Sequence, residues 1–416
     1  MKIAVVGGGS TYTPELVKGL MEINDCVKIE NVTFLDVKEA EEKFNVVFEF
    51  VKRMVKDKFK IEKTFDPKVA FDGADYIVFQ FRPGMLSARI NDEEIPLKYG
   101  LIGQETTGIG GFSAALRAFP LIEKYIELVE KYSKAFVINF TNPSGHITEF
   151  VLNYLKFDRF VGLCNIPINL LKNLSELIGC KIEDLFVKYY GLNHLTFLEK
   201  IFAKNEDVTQ KIFQLLKMHL ANVPGDFPAD LIEILELYPS PYLRYYLFEK
   251  EMVEKLKKEG TRAKKVEKIE KDLLKLYESS DSIPQQLMLR GGSMYSTAAA
   301  NLIKDLATNA GTIHIVNTKN NGAVTNIPND YVLEIPCYVK ANRVFPVSLG
   351  EADEFAVGLI HIVKMYERLT IEAYLYRSRK KALKALLLHP LGPGWQEAPK
   401  ILDDILKANE KFIDLS

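Results

Sequence analysis

The chain lacks the features that would tie it to a membrane, a nucleic acid or an oxidising compartment. No apolar stretch among its 416 residues reaches the roughly 20 needed to span a bilayer. The N-terminal apolar run is a few residues long and passes straight into glycines, so it reads as a strand rather than a leader. Neither sign of charge dominates: 54 basic against 55 acidic residues leave a formal net charge of -1. That balance gives no case for nucleic acid or an anionic membrane as the main partner. Local basic runs, Lys255–Lys258 and Arg377–Lys381, fall in charge-rich helical stretches and read as solvated faces. The cysteines are few and scattered, at Cys26, Cys164, Cys180 and Cys337. That pattern suits reduced thiols in the cytoplasm better than a disulfide framework. No internal repeat or low-complexity tract is present.

What is there is the composition of a globular protein, 47% hydrophobic and 26% charged, long enough for two domains. Short β-rich runs alternate with helical stretches: KIAVV (2–6), VTFLD (32–36), DYIVFQF (75–81), AFVINF (135–140) and RFVGL (159–163). A helix is expected from Pro14 to about Glu22, a charged one up to about Lys58, and another from about Phe112 to Lys131. Nearly continuous apolar strands separated by helices predict an α/β fold with a Rossmann-like parallel sheet. From about residue 165 the pattern changes. VKYYGLNHLTFLEKIF (187–202) and DYVLEIPCYVKANRVFPV (330–347) read as longer strands, and Glu354–Leu388 as helical. The expected organisation is a Rossmann-like nucleotide-binding domain, 1–165, followed by an α+β substrate and catalytic domain, 166–416.

The first strand runs into GGGSTYTPEL, which fits only part of the G-x-G-x-x-G fingerprint, with Tyr12 where the third glycine belongs. Thr13 is the expected N-cap of a late-starting helix and Pro14 its first residue. Gly7, Gly8, Gly9 and Ser10 form the candidate cofactor turn, whose free amides can bind a pyrophosphate. Asp36 ends the second strand, where it can accept hydrogen bonds from ribose hydroxyls and favours NAD over NADP. Asn142, in NFTNPSG, can reach a nicotinamide or a substrate hydroxyl, although Asn-Pro is also ordinary turn chemistry. Cys164 and His194 are suitable ligand types for a divalent transition metal. On spacing alone a buried thiol and a structural histidine are the readier explanation, since free cysteine is usually buried. Arg82, Arg89 and Arg290 lie near glycine turns, as phosphate ligands or as surface ion pairs. The stretch from Pro83 to Gly111 reads as a long glycine-rich loop of the kind that forms lids. SPYLRYY groups Tyr242, Tyr245 and Tyr246, by helical packing or as a base whose phenol is acidified by nearby positive charge.

Together these segments resemble the NAD- and metal-dependent glycosidases of glycoside hydrolase family 4. The matching motifs run in order from end to end: VGGGSTYTPEL, FQFRPG, IGQETTGIGGFSAALR, NFTNPSGH, GLCNIP, YYGLNHL, PYLRYY, RGGSMYS and HPLGP. The resemblance is strongest to the bacterial members that act on 6-phospho-β-glucosides. It implies a redox-assisted elimination. NAD takes hydride from sugar carbon 3, a base removes the acidified carbon-2 proton, the aglycone leaves carbon 1, water adds, and the hydride returns. It implies that Cys164 and His194 ligate Mn²⁺ or another divalent ion, that Tyr242 is the base, and that Glu105 tunes it. Arg89, Asn142 and Arg290 take substrate-contact roles, with Gly7, Gly8, Gly9, Ser10 and Asp36 as the cofactor set. Ser10 is also expected beside the sugar 6-phosphate. Members acting on α-glycosides have an aspartate after the metal cysteine, proposed as a general acid; here Asn165 stands in that place. The resemblance further implies a cytoplasmic homodimer or homotetramer. The alternatives are an α-glycosidase or α-galacturonidase of the same family, an NAD-dependent 2-hydroxy acid dehydrogenase, or a nucleotide-binding regulatory protein.

Overall fold

The computed structural model describes residues 1–222, 227–228, 230–290 and 295–415. Strands and helices alternate at first: β1 (Lys2–Val6), α1 (Thr13–Val27), β2 (Asn31–Leu35), α2 (Glu41–Val55), β3 (Lys60–Thr64) and α3 (Pro67–Phe71). Then follow β4 (Tyr76–Phe79), α4 (Met85–Lys98), α5 (Gly108–Tyr132), β5 (Phe136–Asn139), α6 (Ser144–Glu149), β6 (Phe160–Gly162) and α7 (Asn165–Ile178). A hairpin of β7 (Leu185–Leu192) and β8 (Leu195–Ala203) precedes β9 (Glu206–Asp207), α8 (Thr209–Asn222), α9 (Leu231–Leu235) and β10 (Tyr238–Pro239). Helices α10 (Arg244–Leu247), α11 (Glu249–Glu259), α12 (Arg262–Ser279) and α13 (Tyr295–Thr308) come next. Strands β11 (Thr312–Lys319), β12 (Val332–Lys340) and β13 (Arg343–Pro346) and helices α14 (Glu354–Leu375), α15 (Arg379–Leu388) and α16 (Ala398–Ala408) follow. Among the described residues no helix is long and apolar enough to cross a membrane.

The strand order is β13-β12-β11-β6-β5-β4-β1-β2-β3, with β6 through β3 parallel. That parallel part has the Rossmann order, set by strands such as Tyr76–Phe79 and Phe136–Asn139 that are buried along their whole length. The strand order reverses between β1 and β4, and this is the crevice where such folds bind ligands. β11 joins β6 antiparallel, with Asn317 opposite Gly162, and carries β12 and β13 with it. The boundary expected at residue 165 thus falls just after β6, and the sheet runs across it. A smaller antiparallel sheet of β7, β8, β9 and β10 stands beside the main one.

Several expectations change. The supposed lid from Pro83 to Gly111 is mostly helix: α4 fills its first half, and α5 already begins at Gly108. The charged residues that suggested a loop, Arg89, Asp92 and Glu93, point inward and pair there. The charged run before Lys58 is followed by an edge strand, β3, that pattern reading missed. The two long strands are hairpins, and the C-terminal helix is two helices.

A buried ion pair ties α4 to α5. Arg117 on α5 donates to both Asp92 oxygens, at 2.9 and 2.5 Å, and also to Asn409 Oδ1 and Pro83 O. Both side chains are 1% exposed. Arg117→Met is expected to destabilise the protein by about 3–5 kcal/mol, because Asp92 would stay buried and unpaired. Thermal melts check this: Arg117→Met/Asp92→Leu should recover much of the lost midpoint, since an apolar pair leaves no orphaned charge.

Candidate active site

The parallel strands deliver candidate residues from their carboxyl ends. Gly7–Gly9 follow β1, Asp36 follows β2, Arg82 follows β4, Asn142 follows β5 and Cys164 follows β6. At Gly7 the turn is tight, with φ +86, and a Cβ would meet Gln80 O and Phe81 Cα at 2.8 Å. The amides are not free as expected. Gly7 and Gly8 donate to Leu35 O, Gly9 to Asp36 Oδ2 at 2.6 Å, and Ser10 to Gly7 O. The turn's donors are used to weld β1 to β2. Helix α1 begins at Thr13, so Tyr12 is the N-cap and Thr13 is not; the Thr13 hydroxyl donates to Gly8 O instead. The Ser10 hydroxyl accepts from the Tyr12 amide at 3.3 Å.

The turn still fits a dinucleotide. It presents three residues without side chains at the switch point, and Asp36 stands beside it. Each Asp36 oxygen accepts one backbone N–H, from Gly9 or Val37, and a carboxylate oxygen has a second lone pair for a ribose hydroxyl. Burial raises the Asp36 pKa, while the Val37 and Gly9 amides and Lys43 pull it down.

Cys164 ends the β6 connection and is the residue before α7, held extended. His194 sits in the two-residue turn between β7 and β8 with φ +67, a left-handed conformation that histidine tolerates better than most. The fold brings Cys164 Sγ within 4.0 Å of His194 Nε2. Metal bonds of about 2.0–2.1 Å to nitrogen and about 2.3 Å to sulfur allow one ion to touch both. Burial lowers the His194 pKa to about 4, with Glu105 partly offsetting it, so the imidazole is neutral and ligand-ready. Its Nδ1 is buried and, among the described residues, has no hydrogen-bond partner. Burial pushes the Cys164 thiol up, Glu334 adds to this, and backbone and Asn193 hydrogen bonds counter it in part. A cation would favour the thiolate. Behind the pair, Glu334 accepts from Asn193, Asn317 and Tyr189 at 2.9, 3.0 and 3.0 Å. Glu334 lies 141 residues from Asn193 in the chain, and no sequence signal announces it.

Tyr242 lies in a short helical turn, Pro241–Leu243, started by Ser240, whose hydroxyl accepts from the Tyr242 amide. β10 pairs with β8, which places the Tyr242 ring 4.2 Å from the His194 ring. Burial raises its phenol pKa, as do Cys164, Tyr245 and Glu105, with Arg89 opposing. Glu105 precedes α5, and Arg89 and Arg82 lie 2.9 and 3.0 Å from one of its oxygens. Burial raises its pKa, but Arg82, Arg89, His194 and Arg290 outweigh that and leave it lowered. Arg290, at the end of the turn Gln285–Arg290, lies 4.3 Å above the Tyr12 ring. The glycines after it, 291 and 292, fall outside the described residues. Thus Cys164, His194, Tyr242, Glu105, Arg89 and Arg290 gather in one connected cluster that reaches Tyr12 of the cofactor turn. Asn142 is placed by its strand end, where the Asn139 side chain shapes the turn through Thr141.

The chain matches known proteins along nearly its whole length. Residues 2–180 match the family model of the family 4 glycosyl hydrolases, and residues 189–392 that of their C-terminal domain. The chain is 58% identical to the 6-phospho-beta-glucosidase BglT of Thermotoga maritima, covering 100% of both. It is 37% identical to a probable 6-phospho-beta-glucosidase of Bacillus subtilis, over 99% of this chain and 97% of the relative. The structure of the Thermotoga maritima 6-phospho-beta-glucosidase with manganese, NAD+ and glucose-6-phosphate superposes with a TM-score of 0.97, at 57% identity and full coverage of both chains. With both halves matched in order and the sheet carrying the nucleotide turn, the chain belongs to family 4 of the glycosyl hydrolases.

Proposed function

We propose that this protein hydrolyses 6-phospho-β-glucosides by oxidation at carbon 3, removal of the carbon-2 proton, elimination of the aglycone, addition of water and re-reduction. The observation that carries the reading is the meeting of a thiol, an imidazole and a phenol beside a dinucleotide turn. Gly7, Gly8, Gly9, Ser10 and Asp36 would hold NAD, which supplies a hydride acceptor that is restored at the end of each turnover. Cys164 and His194 would hold Mn²⁺ or a similar ion, which supplies Lewis acidity towards the oxygens on carbons 2 and 3.

The remaining steps belong to side chains. Tyr242 takes the carbon-2 proton, and its burial excludes the water that would otherwise hydrate the phenolate. Glu105 keeps negative charge near that phenol and makes it a stronger base once ionised; Arg82 and Arg89 fix the carboxylate. Arg89, Asn142 and Arg290 orient the sugar, and the Ser10 hydroxyl donates to its phosphate. Asn165 cannot give up a proton as an acid does, which suits departure of a β-linked aglycone without a carboxylic acid at that position. The same reading places the enzyme in the cytoplasm as a homodimer or homotetramer, on the family resemblance.

The test is release of p-nitrophenol from p-nitrophenyl β-glucoside 6-phosphate. Activity should require NAD+, Mn²⁺ and a thiol reductant together. Hydrolysis that persists after nucleotide and metal are stripped contradicts the reading.

A further inference from the structure

Where the ordinary fingerprint has its third glycine, this chain has Tyr12, and the ring there is in use. The Arg290 guanidinium lies over it at 4.3 Å, within cation–π range. Arg290 also donates from Nη2 to Glu270 Oε2 at 2.9 Å. Glu270 is on α12, and its carboxylate accepts from Lys43 Nζ of α2 at 2.6 Å and from the Thr11 hydroxyl at 3.3 Å. Two helical turns further on, Tyr277 donates to the Thr11 carbonyl at 2.7 Å. Helix α12 therefore grips the extra turn Thr11–Tyr12 and the arginine above it with the same face.

The Arg290 side chain is 8% exposed, yet among the described residues its Nε and Nη1 have no hydrogen-bond partner. A buried guanidinium with two such donors is suited to receive an anionic acceptor. Its surroundings hold Glu105 and Glu270 against Arg82, Arg89 and Lys43, so an added anion meets no excess of negative charge. Burial raises the Glu270 pKa, but Lys43 and Arg290 overcome it, and the group stays ionised.

We infer that Glu270, braced by Lys43, and the Tyr12 ring are positioning residues that pre-aim Arg290 as the anchor for the substrate's phosphate dianion. The inference rests on the proposed function only for the identity of the anion. Without the carboxylate, Arg290 would have to be ordered by each incoming ligand, and binding would weaken. Glu270 is 20 residues from Arg290 and 227 from Lys43 in the chain, and neither Glu270 nor Lys43 lies in any of the family motifs.

The full chain loaded with NAD+ and Mn²⁺ tests this, with glucose 6-phosphate and inorganic phosphate as calorimetric probes. Glu270→Gln keeps shape and loses charge. It should weaken both probes about tenfold, the difference between a charged and a neutral hydrogen-bond partner. It should raise the KM for the phosphorylated substrate by a similar factor while kcat changes less. In an Arg290→Met background it should add nothing further, because its effect runs through Arg290. Tyr12→Leu, which removes the ring and keeps the apolar bulk, should weaken the same probes independently. Unchanged phosphate affinity in both variants, or an effect that adds fully to Arg290→Met, overturns the inference. Weakened phosphate binding in a protein with no glucosidase activity would uphold the anchor and overturn the proposed function.

Discussion

Cys164→Ala is expected to lower turnover by about a thousandfold or more. Lewis-acid stabilisation is worth several kcal/mol, and each ~1.4 kcal/mol is a factor of ten in rate. The effect should be lost metal rather than lost fold. Cys164 is the last residue before α7, and its thiol lies 4.0 Å from His194 Nε2 with no covalent partner. The small cavity left by sulfur costs little beside that. Electron paramagnetic resonance of added Mn²⁺ checks the distinction: the bound signal should vanish in Cys164→Ala while NAD+ affinity persists. Near-normal turnover with Mn²⁺ still bound would show that the pair is structural.

Tyr242→Phe is expected to cut kcat by about 10²–10⁴-fold, the usual contribution of a placed general base. The ring contact with His194 at 4.2 Å is kept by phenylalanine, so the metal pair should remain assembled. NAD+ and Mn²⁺ affinity should therefore stay close to wild type while exchange of the substrate's carbon-2 proton with solvent is lost. Exchange at the wild-type rate in Tyr242→Phe would move the base elsewhere.

How much of this was legible in the chain depended on distance. The parallel sheet could be read because each strand is a short run of apolar residues that announces itself locally, as in Phe136–Asn139. Helix α4 could not, because Arg89, Asp92 and Glu93 are charged residues turned inward to partners on other elements, and Pro96 interrupts the run. β3, KIEKT, has charged residues at three of its five positions at the sheet's edge and looks like surface. The β7–β8 hairpin turns at Asn193-His194 without a glycine, so it read as one strand. The metal pair and Tyr242 came from the family resemblance; spacing alone favoured a buried thiol and a structural histidine. The Glu270 and Glu334 networks join residues more than a hundred positions apart, at separations of 227 for Lys43–Glu270 and 141 for Asn193–Glu334. Such pairings leave no local trace.

The central claim is that a dehydrogenase-like site performs a hydrolysis through proton loss at carbon 2. The most direct measurement is turnover of a 6-phospho-β-glucoside in heavy water, with the isotope content of the released glucose 6-phosphate read by NMR or mass spectrometry. The account predicts deuterium at carbon 2 in the product, matched to turnover, with no net formation of NADH. Product that retains its original carbon-2 hydrogen, released at full rate, would contradict it.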